Sequence, residues 1–119
     1  LLERLAAVLV TRSETLQKQP ELVRRVADAM VSGVEKTVAD PAAALDATRT
    51  HVPDLDAEMD HAQAVLSATT ELWTDPEGRV SGALDERLWG EMVDFMLTQR
   101  IIEQPVNVGD VMTNEFVQS

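Results

Sequence analysis

Asp54-Leu55-Asp56-Ala57-Glu58-Met59-Asp60 places four carboxylates within one short stretch, the densest set of candidate ligands or general acids in the chain. A calcium loop would need a glycine at its sharp turn and a distant bidentate glutamate, and neither follows here. On a helix, Asp56 and Asp60 share a face and Glu58 points away. Negative charge in a first helical turn is favoured by the helix dipole, so helix capping accounts for the run. His51 and His61 are the only histidines. Neither has a second histidine at helical spacing, and Pro53 lies between them, so both read as surface side chains. Ser13, Ser32, Ser67, Ser81 and Ser119 stand in no nucleophile-elbow pattern. Glu71, Asp75 and Glu77 could face a cleft, but nothing marks one as acid and another as base. The expectation is therefore no catalytic residue, no metal site, no cofactor and no enzyme activity within this segment, with ligand-binding residues unassigned.

The remaining residues of chemical interest are aromatic or basic. Trp73 and Trp89 read as core or interface anchors ahead of ligand-stacking platforms. Arg24-Arg25 is the only adjacent basic pair and sits inside a helical pattern, which makes it a solvated helix face. With a net charge of −11, the chain repels phosphate backbones and anionic lipid surfaces, so no nucleic-acid partner is expected. The absence of cysteine excludes disulfides, thiolate catalysis and thiolate-bound zinc.

These residues need a scaffold, and the composition bounds it. The 119 residues are 45% hydrophobic and 26% charged, which suits one globular segment spanning residues 1–119. Only Trp73, Trp89, Phe95 and Phe116 are aromatic, so the core must come from Leu, Val, Ala, Met and Ile. Leu5–Val10 is the longest apolar run and is far shorter than the roughly twenty residues a membrane-spanning helix requires. The chain opens on Leu with no signal sequence ahead of the fold, so it reads as a trimmed piece.

Apolar periodicity predicts three to five helices. Leu1–Arg12 is ambiguous: "LLERLAA" favours helix and "VLVT" favours strand, which allows one short strand near Val8–Thr11. Ser13 can cap a turn over Glu14–Gln19. Pro20, tolerated at a first helical position, opens a helix to Ala39 built on Leu22, Val26 and Met30 with Val23, Ala27, Val34 and Val38. Gly33 inside it costs about 1 kcal/mol relative to Ala, which is read as close approach of a neighbouring element. Asp40-Pro41 repeats a cap-and-proline start for a short helix to Thr50. Asp54 and Asp56 are candidate caps for Leu55–Trp73, whose apolar face is Leu55, Met59, Ala62, Leu66, Thr69 and Trp73. "TDPEGRVSG" is a loop. Asp85 caps Glu86–Gln99, where Leu88, Trp89, Met92, Val93, Phe95, Met96 and Leu97 make a stripe wide enough for contact on two sides. Beyond Pro105, Asp110 can cap a last turn through Phe116.

The order of these features carries a resemblance. "VLVTRSETLQKQPELVRRVADAMVSGVEKTVADPAAALD" and "ALDERLWGEMVDFMLTQRIIEQPVNVGDVMTNEF" together resemble the C-terminal portion of ABC-importer substrate-binding proteins. The type is the one that handles thiamine-pyrimidine precursors, nitrate, sulfonates, taurine and riboflavin. The matching positions are Pro20-Glu21-Leu22-Val23-Arg24-Arg25, Asp40-Pro41-Ala42-Ala43-Ala44, Trp89, Ile101-Ile102 and Met112-Thr113-Asn114-Glu115-Phe116-Val117. Arg100 departs from the glycine usual before the Ile pair. The resemblance implies a mainly α segment of a two-lobe α/β binding protein, small-molecule capture, an ABC transporter permease as partner and an extracytoplasmic location, periplasmic or lipoprotein-anchored. It also implies that the tail after Ile102 packs back on the lobe with Phe116 as anchor. Two alternatives stand beside it. One is a stand-alone acidic helical module for protein interaction or self-association, motivated by the wide apolar stripe. The other is a fragment of the related pyrimidine-synthesis enzyme.

Overall fold

The structure, a computed structural model, describes residues 8–117. The helical reading of "LLERLAA" falls outside them. The described chain is mainly helical: α1 (Ser13–Lys18), α2 (Pro20–Ala39), α3 (Pro41–Arg49), a 3-10 turn (Pro53–Glu58), α4 (Met59–Trp73), α5 (Glu86–Thr98) and α6 (Val108–Val111). No strand forms among the described residues, and the one β-type contact is an antiparallel bridge between Thr74 and Val80. The strand expected at Val8–Thr11 is thus corrected: its residues favour a strand, but no described neighbour offers a ladder.

The helix starts follow local chemistry. The Asp40 carboxylate accepts from the Ala43 N–H at 3.0 Å, with Pro41 next in line. The Asp85 carboxylate accepts from the Arg87 and Leu88 N–H groups at 2.9 and 3.2 Å. Both satisfy donors that a first helical turn leaves open. The expected caps of three helices are displaced. Arg12, in extended geometry, is the N-cap of α1, and Ser13 is already helical. Asp54 and Asp56 sit inside the 3-10 turn, α4 begins only at Met59, and Asp56 bonds Arg49 Nε at 2.6 Å instead of capping. Asn107 caps α6 through the Gly109 N–H, while Asp110 lies within the helix.

The chain gathers into two compact units. The first holds the described residues up to Arg24 and those from Gly82 onward; the second holds Arg25–Ser81. In the second, α3, the 3-10 turn and α4 contact one another. The apolar face read over Leu55–Trp73 is the covered one: Leu55 in the 3-10 turn and Met59, Ala62, Leu66, Thr69 and Trp73 on α4 are half-buried, whereas Val65 and Leu72 are exposed. In the first unit α5 packs on α6.

Little of this is deep core. Among the described residues only Ala27 and Val93 are buried hydrophobic side chains, 6% and 8% exposed. The wide stripe of α5 buries Val93 alone; Trp89 is half-buried and Phe95 is 42% exposed. Gly33 is not a point of close approach either, because a Cβ built there meets nothing within 4 Å.

Candidate functional site

A hollow lies in the first unit. It is an open hollow of about 940 Å³. Its walls are Val8–Thr11 with the start of α1, the Trp89 side of α5 with Leu84 and Glu86, and the tail over 107–116.

The tail is held in place by side chains reaching to backbone. The Leu84 N–H donates to Asn114 Oδ1 at 2.8 Å, and Asn114 Nδ2 donates back to the Leu84 carbonyl at 2.9 Å. One carboxamide thus fills both backbone positions of a residue just ahead of α5. Next to it, Arg24 Nη1 donates to the Glu115 carbonyl at 3.4 Å, and the Arg24 guanidinium lies 5.9 Å from the centroid of the Phe116 ring. A cation at that distance is attracted by the face of the ring. The tail therefore docks back as expected, but Asn114 and Arg24 share the anchoring with Phe116. Arg24 is half-buried while Arg25 is exposed, so the solvated-face reading holds only for Arg25.

Trp89 is the most informative wall residue. Its indole Nε1 is buried and has no hydrogen-bond partner among the described residues. A buried Trp N–H ordinarily finds an acceptor. Among the described residues, the ionic groups that line the hollow are acidic and exposed: Glu86, Asp110 and Glu115.

The residues singled out by chemistry do not converge there. His51 and His61 are exposed and lie in the second unit, and no group of three potential metal ligands occurs among the described residues. Asp56 is engaged by Arg49, whose guanidinium pKa is raised by that hydrogen bond and charge. Asp75 is engaged too. Its Oδ1 accepts from the Glu77 and Arg79 N–H groups at 3.0 and 2.8 Å, and its Oδ2 accepts from Arg79 Nε at 2.8 Å. The Arg79 backbone bond leads in lowering its pKa. A carboxylate fixed in its charged form this way closes a turn and is a poor general base. Glu71 is exposed.

No protein-family model matches the chain. No solved structure matches it. A curated relative does: the chain is 32% identical over 117 residues to Riboflavin-binding protein RibY of Chloroflexus aurantiacus. The alignment covers 95% of this chain and 33% of the relative, so the chain spans about a third of the length of the protein it matches. This overturns the reading as a substrate-binding protein of an ABC importer. No family model places the chain there, and the relative is named for binding riboflavin, with neither transport nor a thiamine precursor in its name. The match carries no sign of a permease partner. The match does not single out a stand-alone interaction module either.

Proposed function

We propose that this chain is a scaffold segment of a riboflavin-binding protein. The observation that carries the reading is the 32% identity to Riboflavin-binding protein RibY, which runs through 95% of the chain rather than through one motif. The helical frame supports it. Its helices start on local caps at Asp40 and Asp85, which hold the frame of this segment in place. The role is binding without turnover. Asp56 and Asp75, two of the carboxylates that the sequence offers for acid–base chemistry, serve an ion pair and a turn.

No single residue of this segment is assigned to the ligand. A third of the relative's length is matched, and the ligand contacts lie with the assembled protein. Titration of riboflavin, followed by quenching of its own fluorescence, tests the reading. Saturable quenching by the natural polypeptide that carries this segment is the expected result. Riboflavin fluorescence left unchanged by that polypeptide would remove the proposal.

A further inference from the structure

We infer that the end of α5 is a two-state element: the helix elongates through Gln104 and passes the tail over 107–117 to the matching seat on a second copy of this chain. The inference does not rest on the riboflavin reading.

Three observations meet at this place. First, α5 stops at Thr98 although the residues that follow do not require it. Gln99, Arg100, Ile101, Ile102, Glu103 and Gln104 all suit a helix, and the first breaker is Pro105. The stop is made by Arg100 at φ 56°, in the left-handed region where glycine is at ease and a side chain is strained. Second, the residues after the stop are poorly used. Ile101 is 60% exposed, and no backbone group over 103–106 has a hydrogen-bond partner among the described residues. On a continued helix Ile101 joins the row of Leu97 and Val93, the buried residue of α5, and so extends the covered face. Third, the tail is built to detach. No residue over 107–117 is fully buried, and its anchors are Asn114 on Leu84 and Arg24 on Glu115 and Phe116.

Elongation takes the tail off its own seat. Leu84 lies ahead of the first turn of α5, so Asn114 must reach back along the whole helix. With α5 continued to Gln104, the last residue a helix holds ahead of a proline, that path is about 27 Å long. The stretch from Pro105 to Asn114, with α6 kept and the rest fully extended, spans about 28 Å and leaves nothing for the reversal of direction. The freed tail meets the same Leu84 backbone pair and the same Arg24 guanidinium on another copy. In a reciprocal exchange each copy recovers its anchors and loses the strain at Arg100. The net charge of −11 opposes the approach of two copies, so the exchange belongs to high protein concentration and moderate salt.

Light scattering over a concentration series, with amide hydrogen exchange on the separated species, tests this. Both are run without riboflavin on the natural polypeptide that carries this segment. The expected result is a dimer that grows with concentration, in which the amides over 101–104 exchange about 10-fold or more slowly than in the monomer. Arg100→Gly relieves the strain of the short form and should weaken the dimer about 10-fold or more. Arg100→Ala keeps the strain and should leave the dimer within about 3-fold of the parent. A monomer at every concentration would overturn the inference. So would a dimer with freely exchanging 101–104 amides, which is surface association without exchange of tails. A dimer indifferent to Arg100→Gly would overturn it too, as would one lost equally in Arg100→Ala, which would make the arginine side chain itself the contact. None of these outcomes bears on the riboflavin titration, so the two readings can fail separately.

Discussion

The carboxamide of Asn114 pairs with both the N–H and the carbonyl of Leu84, at 2.8 and 2.9 Å. Thirty positions of sequence separate the two residues, and a side chain does the work of a neighbouring strand. The Leu84 backbone groups are part-buried, so removing their partner leaves two polar groups with restricted access to water. Unsatisfied buried groups cost about 1–3 kcal/mol each, and a net hydrogen bond about 1 kcal/mol. Asn114→Ala is expected to destabilise the first unit by about 2 kcal/mol. Asn114→Asp keeps the acceptor for Leu84 N–H but turns a second oxygen on the Leu84 carbonyl, so it should not restore the wild-type midpoint. Urea unfolding followed by tryptophan emission measures both. A midpoint unmoved by Asn114→Ala would mean that the tail is not held by this pair.

Arg100 has a φ of 56°, the only positive value at a non-glycine among the described residues. It follows α5, where its N–H donates to the Leu97 carbonyl at 3.0 Å and the Ile101 N–H donates to the Met96 carbonyl at 2.8 Å. These two bonds define a Schellman closure with the left-handed residue at the position glycine normally fills. A side chain in that region costs about 1–2 kcal/mol. Arg100→Gly should therefore raise stability by about 1 kcal/mol, because the exposed Arg100 side chain gives up little in return. A thermal midpoint that stays put or falls would show that the arginine has a role the left-handed strain conceals.

Gly33 gives the complementary case inside a helix. It lies within α2, is exposed, and has open space where a Cβ would stand. Gly33→Ala should stabilise α2 by up to about 1 kcal/mol, the propensity difference in a helix interior. Circular dichroism and the thermal midpoint of the 119-residue chain report it. A loss of stability would mean that the space at Gly33 closes in solution.

Much of the helical frame was legible because it is local. Pro20, Asp40-Pro41 and Asp85 fix three helix starts through a ring constraint or a carboxylate on nearby N–H groups. The apolar face Leu55, Met59, Ala62, Leu66, Thr69 and Trp73, which runs from the 3-10 turn along α4, was readable from its spacing, and those are half-covered positions. Features that depend on distant partners were not. Nothing near Asn114 in sequence points to Leu84, and nothing near Arg24 points to Phe116. Asp56 could equally have capped a helix, and its actual partner Arg49 lies across a proline turn. The α5 stripe measured how much apolar surface the helix presents, not how much of it this segment covers: Val93 is buried and Phe95 is open.

Asp75 supplies a prediction in pH. Its carboxylate holds the turn over 75–79 by accepting from the Glu77 and Arg79 N–H groups and from Arg79 Nε. The backbone closes the same turn, with Asp75 N–H donating to the Arg79 carbonyl at 2.9 Å and Gly78, at φ 79°, donating to the Asp75 carbonyl. The Arg79 bonds favour the charged form and lower the Asp75 pKa. A carboxyl group whose folded pKa is depressed gives stability that is complete above its unfolded pKa, about 3.9, and is lost as pH falls through the lower folded value. The turn should thus be unchanged from neutral pH down to about 4 and loosen only in stronger acid. Arg79→Ala removes the guanidinium bond, so its turn should loosen at higher pH than the parent. The amide signals of Glu77 and Arg79 in a pH titration by NMR read both effects. Loosening of the parent turn between pH 7 and about 5 would rule out the Asp75 clamp as its cause, and identical profiles for parent and Arg79→Ala would rule out the guanidinium's share in it.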